Sequence, residues 1–245
     1  YDYQIYQKRE NEPMNAYYYY NVTGIINTDR SNMPESQKSL QAEAQLPGCP
    51  IIEDKNKDGK IDENDIYMKD NSPAVYVGFG NTFTYKNFEF SFFMYGQFGI
   101  QKYNIAYSAA QAGPLAVDYP ENSNKFAYRL WNSQTNPNGS RPGLAIGKMG
   151  ALPGNAWVNT DMENASFMRM RNITLAYNLT GNLLGSLQRY VRNIKVYVDA
   201  QNPFILTKFQ GFDPEIYTGG GGASGGSRGE YPQTRTFSLG ANITF

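Results

Sequence analysis

Histidine is absent from the 245-residue chain. The commonest general base, nucleophile activator and zinc ligand is therefore missing, which excludes Ser/His/Asp and Cys/His hydrolases. No pair of carboxylates stands in a context that suggests a catalytic dyad, so an enzyme is not expected. Cys49 is the single cysteine and has no intrachain partner. Neither charge is in surplus: Lys plus Arg number 22 and Asp plus Glu number 22. Binding a polyanion needs an excess of basic side chains, so no nucleic-acid partner is expected. Long hydrophobic runs are missing as well. No uninterrupted apolar stretch approaches the ~20 residues of a membrane helix.

Aromatic residues, by contrast, are plentiful. There are 20 Tyr and 14 Phe, and aromatics make up 15% of the chain. The mean hydropathy is nonetheless −0.57. This profile suits a transmembrane β-barrel, whose strands alternate lipid-facing and lumen-facing residues so that the hydrophobic signal averages away.

Five segments alternate with period two and read as strands. In 236–245, Phe237, Leu239, Ala241, Ile243 and Phe245 share one face, and Ser238, Gly240, Asn242 and Thr244 the other. In 193–206, Ile194, Val196, Val198 and Ala200 oppose Lys195, Tyr197, Asp199 and Gln201. In 172–180, Ile173, Leu175, Tyr177 and Leu179 oppose Asn172, Thr174, Ala176 and Asn178. The segments 88–100 and 74–86 repeat the pattern, with Phe88, Phe90, Phe92 and Met94 on one face of the former. Segment 1–7 is a weaker sixth candidate. Phe90, Val196, Leu239 and Ile243 are expected to face lipid. Arg169 and Arg171 have the parity of Ile173. They therefore either lie above the hydrocarbon or are re-aimed by a β-bulge near Arg171.

The connections alternate long and short: 8–73, then Lys86-Asn87, 101–165, 181–192 and 207–234. Bacterial barrels have short periplasmic turns and longer extracellular loops. Loops of this length are uncommon in a compact domain unless they are functional. The expected fold is all-β, an antiparallel transmembrane β-barrel. Residues 1–73 would supply a possible first strand and a long extracellular loop, and residues 74–245 the barrel strands with extracellular loops 101–165 and 207–234. Five or six strands cannot close a barrel when the smallest have about 8, and open edges are forbidden in lipid. Further strands are therefore expected. The chain begins Tyr1-Asp2-Tyr3 without a basic or apolar leader, so a preceding N-terminal portion is expected too.

Several segments, taken in order, resemble the SusC/RagA-type TonB-dependent outer-membrane transporters. They are Asn81-Thr82-Phe83-Thr84-Tyr85-Lys86-Asn87-Phe88-Glu89-Phe90-Ser91-Phe92-Phe93, Ala165-Ser166-Phe167-Met168-Arg169-Met170-Arg171-Asn172-Ile173-Thr174-Leu175-Ala176-Tyr177 and Val196-Tyr197-Val198-Asp199-Ala200-Gln201-Asn202-Pro203-Phe204. Gly211-Phe212-Asp213-Pro214-Glu215 and Tyr231-Pro232-Gln233-Thr234-Arg235-Thr236-Phe237-Ser238-Leu239-Gly240 complete the series. The resemblance covers 74–245 strongly and 8–73 moderately. It implies that the chain is the C-terminal part of a larger barrel of about 22 strands, with an N-terminal plug outside this chain. It also implies a SusD-like surface lipoprotein as lid, TonB as the energy source acting through the plug, and uptake of oligosaccharides across the outer membrane of a Gram-negative bacterium. A peptide importer of the same family, and a passive porin or structural barrel, are the alternatives.

The sharpest local motif is Asp54-Lys55-Asn56-Lys57-Asp58-Gly59-Lys60-Ile61-Asp62-Glu63-Asn64-Asp65. Oxygen-bearing residues fall at loop positions one, three, five, nine and twelve, with Gly at six, which is the calcium-loop spacing. Asp54, Asn56, Asp58, Asp62 and Asp65 would offer side-chain oxygens and Lys60 its carbonyl to a structural Ca²⁺. The last position carries Asp, shorter than the usual Glu, and the flanks are not helix-like. The bland alternative is a polar turn. Tyr17-Tyr18-Tyr19-Tyr20, Trp131 and Trp157 are candidate sugar-stacking rings, although girdle or loop packing is the favoured reading for any single tyrosine. Gly219–Gly226 reads as a loop tip, since no helix start or P-loop Lys follows it.

Overall fold

A computed structural model describes residues 11–13, 16–104, 129–143, 152–153, 157–211, 213–215 and 233–245. The candidate strand 1–7 and the stretch Gly219–Gly226 lie outside the described residues. The first strands are β1 (Ala16–Tyr20), β2 (Val22–Ile25), β3 (Pro50–Ile52), β4 (Tyr67–Asp70), β5 (Val75–Tyr85), β6 (Phe88–Phe98) and β7 (Gln101–Tyr103). After them come β8 (Trp157–Val158), β9 (Met162–Asn164), β10 (Phe167–Thr180), β11 (Asn193–Gln201), β12 (Ile205–Thr207) and β13 (Thr236–Thr244). They fall into two compact units. One is drawn from 1–72, 101–163 and 217–228, the other from 73–100, 164–216 and 229–245.

The second unit is one antiparallel sheet in the order β13-β11-β10-β6-β5, with β12 added to β10 beyond the end of β11. All five strands expected from alternation are present. Their register sorts side chains by polarity. One row crosses the whole sheet through Phe83, Phe90, Leu175, Val198 and Leu239. The neighbouring row runs through Thr82, Ser91, Thr174, Asp199 and Ser238 and is polar throughout. Successive strand residues point to opposite faces, so the sheet has one apolar and one polar face. The apolar face is bare: Phe83 is 55% exposed, Leu175 49% and Leu239 78%. On it, Phe83 stacks with Phe90 and Phe92, at centroid distances of 6.4 and 6.5 Å.

The polar face carries its own network. The Asn172 amide and the Thr174 hydroxyl both donate to Asp199 Oδ1, at 2.9 and 2.6 Å. Lys195 Nζ reaches Glu89 Oε1 at 2.8 Å, spanning the intervening strand. The Tyr197 ring lies over Gly240, where a Cβ would overlap it. Aromatic cover of a glycine in this way pins the register of a sheet.

Two boundaries differ from the sequence expectation, and one cause explains both. The β10–β6 register shifts between Met170 and Asn172. Arg171 is the extra residue of a bulge, so the alternation changes parity there and β10 continues back to Phe167. Opposite the bulge, Asn202 has φ 49° and its N–H donates to the Arg171 carbonyl at 2.9 Å. The segment expected as 193–206 is thereby broken into β11 and β12. Past the bulge, Arg169 pairs with Tyr95 and Met170 with Met94. The arginines leave the apolar face, so of the two sequence-based possibilities the bulge is the one realised.

The two arginines meet a second expected motif. Arg169 Nη2 donates to both carboxylate oxygens of Asp213, at 2.6 and 2.7 Å, and its Nε contacts Glu215. Arg171 donates to Glu215 Oε1 at 2.8 Å, to the Tyr95 hydroxyl at 3.0 Å and to Asn202 Oδ1 at 3.1 Å. Its guanidinium also sits 4.7 Å from the Tyr95 ring centroid. Asp213 further accepts the N–H groups of Glu215 and Gln233, at 2.9 and 3.3 Å. Burial pushes the Glu215 carboxyl upward. Two cations and two anions thus neutralise one another, with Arg169 only 3% exposed.

The first unit builds a separate core. β1 lies between β4, antiparallel, and β8, parallel, while β2 pairs with β3. Tyr18, Tyr20, Ile26, Ile52 and Cys49 are fully buried there. Buried Gln37 ties the short 3-10 turns at Glu35–Ser39 and Ala42–Gln45 to β3. It donates to the Ala44 and Pro50 carbonyls, at 3.1 Å each, and accepts the Ile52 N–H at 3.1 Å. Burial pushes the Cys49 thiol up to about 11.

Two outcomes test this account. Val196→Arg on the apolar face should cost ~2–4 kcal/mol of folding stability in a bilayer. Lys195→Gln on the polar face should cost less than ~1 kcal/mol, the scale of a solvent-accessible ion pair. Urea unfolding in lipid vesicles measures both, and equal costs would contradict a two-faced sheet. Arg169→Met strands the buried Asp213 carboxylate and should cost ~3–5 kcal/mol, whereas the double variant R169M/D213N, which leaves the Arg171–Glu215 pair intact, should recover most of that loss. A double variant no more stable than the single one would show that charge pairing does not hold this site.

Candidate functional site

The cation-type loop is ordered by its own side chains. Asp54 accepts the N–H groups of Asp58 and Gly59, at 3.2 and 2.8 Å. Asn56 Oδ1 accepts the Asp58 N–H at 3.1 Å, and Asp58 Oδ1 accepts the Lys60 N–H at 2.9 Å. Gly59 has φ +85°, a value that an L side chain rarely adopts. The oxygens of Asp54, Asn56 and Asp58 therefore fold inward along the first half of the loop. Its second half is a capping box. Asp62 Oδ1 accepts the Asn64 N–H and Asp65 Oδ2 accepts the Asp62 N–H, at 2.8 Å each.

Asp65 is fully buried, and its Oδ1 accepts the Lys55 N–H at 2.8 Å. It closes the loop by joining the two ends. The adjacent Tyr20 hydroxyl lies 2.9 Å from the carbonyls of Asp62 and Pro153. Its ionisation is pushed far up, first by burial and then by Asp65, Glu63 and Asp62. Among the described residues, no three or more carboxylate or cysteine side chains form a metal-holding group.

The tyrosine run is packing. Tyr17, Tyr18 and Tyr20 are 2% exposed or less, and Tyr19 stacks on Tyr67 with centroids 5.9 Å apart. They offer no open platform. Trp131 is different. It borders an open cleft of ≈ 550 Å³ between β2 with its following turn and the segment 137–142. Gly48, with φ +89°, packs so closely on one edge of its ring, and Gly143 on its backbone carbonyl, that a side chain at either would clash. The Gly143 N–H also donates to the Gly48 carbonyl at 2.7 Å, which fixes the two walls. No motif marks this cleft. Its walls come from segments about a hundred residues apart, which spacing along the chain does not reveal. The Trp157 side chain lies outside the described residues.

No family model matches the chain. Curated relatives do. TonB-dependent receptor P3 of Formosa agariphila is 28% identical over 244 residues, which is 97% of this chain and 23% of the relative. TonB-dependent receptor SusC of Bacteroides thetaiotaomicron is 32% identical over 196 residues, 78% of this chain and 17% of the relative. Among solved structures, the RagAB peptide importer in its closed-closed state superposes with a TM-score of 0.62 at 21% identity, over 94% of this chain and 23% of that one. Its open-open state gives 0.59. The chain thus spans about a fifth of the length of the curated relatives it matches. A sheet with one bare apolar and one polar face, matched at this length by receptor sequences and by the RagAB fold, makes the chain similar to the SusC/RagA-type TonB-dependent receptors, as part of a β-barrel.

Proposed function

We propose that this chain is barrel wall and surface loop of a TonB-dependent outer-membrane importer that takes up oligosaccharides beneath a SusD-like lipoprotein lid. The two-faced sheet is the observation that carries this reading. Its bare Phe, Leu and Val rows suit acyl chains, and its hydrogen-bonded Asp199, Asn172, Lys195 and Glu89 suit a wet lumen. The long segments leave the sheet at one end of its strands, next to Val75, Phe98 and Phe167, while two short connections, Lys86–Asn87 and 181–192, close the other. That asymmetry supports an extracellular position for the long segments. Peptide is the alternative substrate, since RagAB, which this chain resembles in fold, is a peptide importer. Residues present here bind and line the path. Energy transfer belongs to a plug, and capture to the lid and loops together.

In cells carrying the complete receptor, growth on the cognate oligosaccharide should require both the receptor and TonB, and a lipoprotein should co-purify with it. Receptor-dependent growth that persists without TonB would make the barrel a passive pore.

For the Asp54–Asp65 loop the proposed occupant is Ca²⁺, held by Asp54, Asn56, Asp58 and the Lys60 carbonyl with Asp62 or Asp65. The inward-turned oxygens and the Gly59 conformation support it. Asp65, committed to backbone N–H groups, would contribute less than the last residue of a full calcium loop. With a dissociation constant near ~10⁻⁴ M, about 1 mM Ca²⁺ would stabilise the loop unit by ~1.4 kcal/mol. Calorimetric melting with and without chelator reads this, and the gain should vanish in Asp58→Asn. An identical gain in that variant, or none in the parent at about 10 mM Ca²⁺, would leave the loop a purely hydrogen-bonded turn.

A further inference from the structure

We infer that the Trp131 cleft is a subsite for a neutral oligosaccharide, which rests on the importer reading above and assigns one of its contacts. The cleft is lined by an indole, by carboxamides from Asn27, Asn32 and Asn138, and by the hydroxyl residues Thr23 and Ser140. Among the described residues, no Lys, Arg, Asp or Glu lines it. An uncharged ligand with many hydroxyls fits that chemistry, because amides and hydroxyls both donate and accept while a ring face covers C–H groups. An acidic sugar or a peptide with free termini would find no ion to pair with there.

Several groups are unspent. The Trp131 indole N–H, the Asn138 amide and the Ser140 hydroxyl make no hydrogen bond to other described residues. The Thr160 hydroxyl oxygen is enclosed and also has no partner. That oxygen is closed to the cleft, so the groups open to a ligand are those of Trp131, Asn138 and Ser140.

The rim is rigid before any ligand arrives. The Asn27 N–H donates to Asn32 Oδ1 at 3.0 Å, and Asn32 Nδ2 donates to the Ile25 carbonyl at 2.7 Å. Opposite, Asn132 and Asn136 exchange both backbone bonds at 3.0 Å, and the Arg141 guanidinium holds the Thr160 carbonyl. A preformed cleft avoids the ordering cost that weakens binding by mobile loops.

The test uses the complete receptor in detergent on an array of neutral glycans, anionic glycans and short peptides, followed by titration calorimetry with the strongest neutral glycan. Trp131→Ala should weaken binding about tenfold or more, the scale of one lost ring contact. Trp131 also packs against Gly48 and Gly143, so Asn138→Ala, at an exposed position, serves as the second variant. It should weaken the same glycan severalfold with an unchanged melting curve. Unaltered glycan affinity in both variants overturns the subsite while TonB-dependent uptake leaves the importer reading intact. Binding confined to anionic glycans or peptides overturns the ligand class, as does an array on which nothing binds. Loss of TonB-dependent uptake of every substrate by the unaltered receptor is a separate result that removes the importer reading and the subsite with it.

Discussion

A backbone amide inside a bilayer has no water to bond, so every N–H and C=O there must find a partner in the protein. The strand unit follows from that constraint. β6, β10 and β11 satisfy it on both sides, through ladders that pair nearly every residue of each strand. β5 and β13 satisfy it on one side within the described residues. Their outer edges are eleven and nine residues long, about the length that crosses the hydrocarbon. An exposed edge of that length invites pairing. In a barrel wall the partners are neighbouring strands, which agrees with a chain that spans about a fifth of its curated relatives.

The same constraint shapes the Arg171 bulge. Unbroken alternation would aim Arg169 and Arg171 the way of Ile173, at the apolar face. One extra residue changes the parity and turns both toward Asp213 and Glu215. Burying these charges is tolerable because each cation meets an anion at hydrogen-bonding distance. The arrangement also fastens the start of the segment after β12 to the wall, through a proline-stiffened Asp213-Pro214-Glu215 that Asp213 further secures by accepting two backbone N–H groups.

How much was legible in the sequence varies with how local the signal is. Strands announce themselves through period-two alternation, so all five were readable, and the polar row through Asp199 came with them. Where a bulge interrupts the period, as at Arg171, the pattern ends early and the boundary slips. Complementary charges in Arg169-Met170-Arg171 and Asp213-Pro214-Glu215 were visible as motifs, but their pairing depends on the bulge, which the sequence allowed only as one of two options. The tyrosine run looked the same whether buried or open, and its burial follows from the core that β1 joins. Spacing found the Asp54–Asp65 turn, yet the burial of Asp65 comes from its place beside Tyr20. Trp131 stood out as a candidate stacking ring, but the cleft beside it had no local signal, because its walls meet only after folding.

Amide hydrogen exchange of the complete receptor in lipid bilayers tests the central claim most directly. If β5 and β13 are interior strands of a closed wall, their outward-directed amides should be protected as strongly as those of β6 and β10. Fast exchange along the outer edge of either strand, while β6 and β10 stay protected, would contradict it.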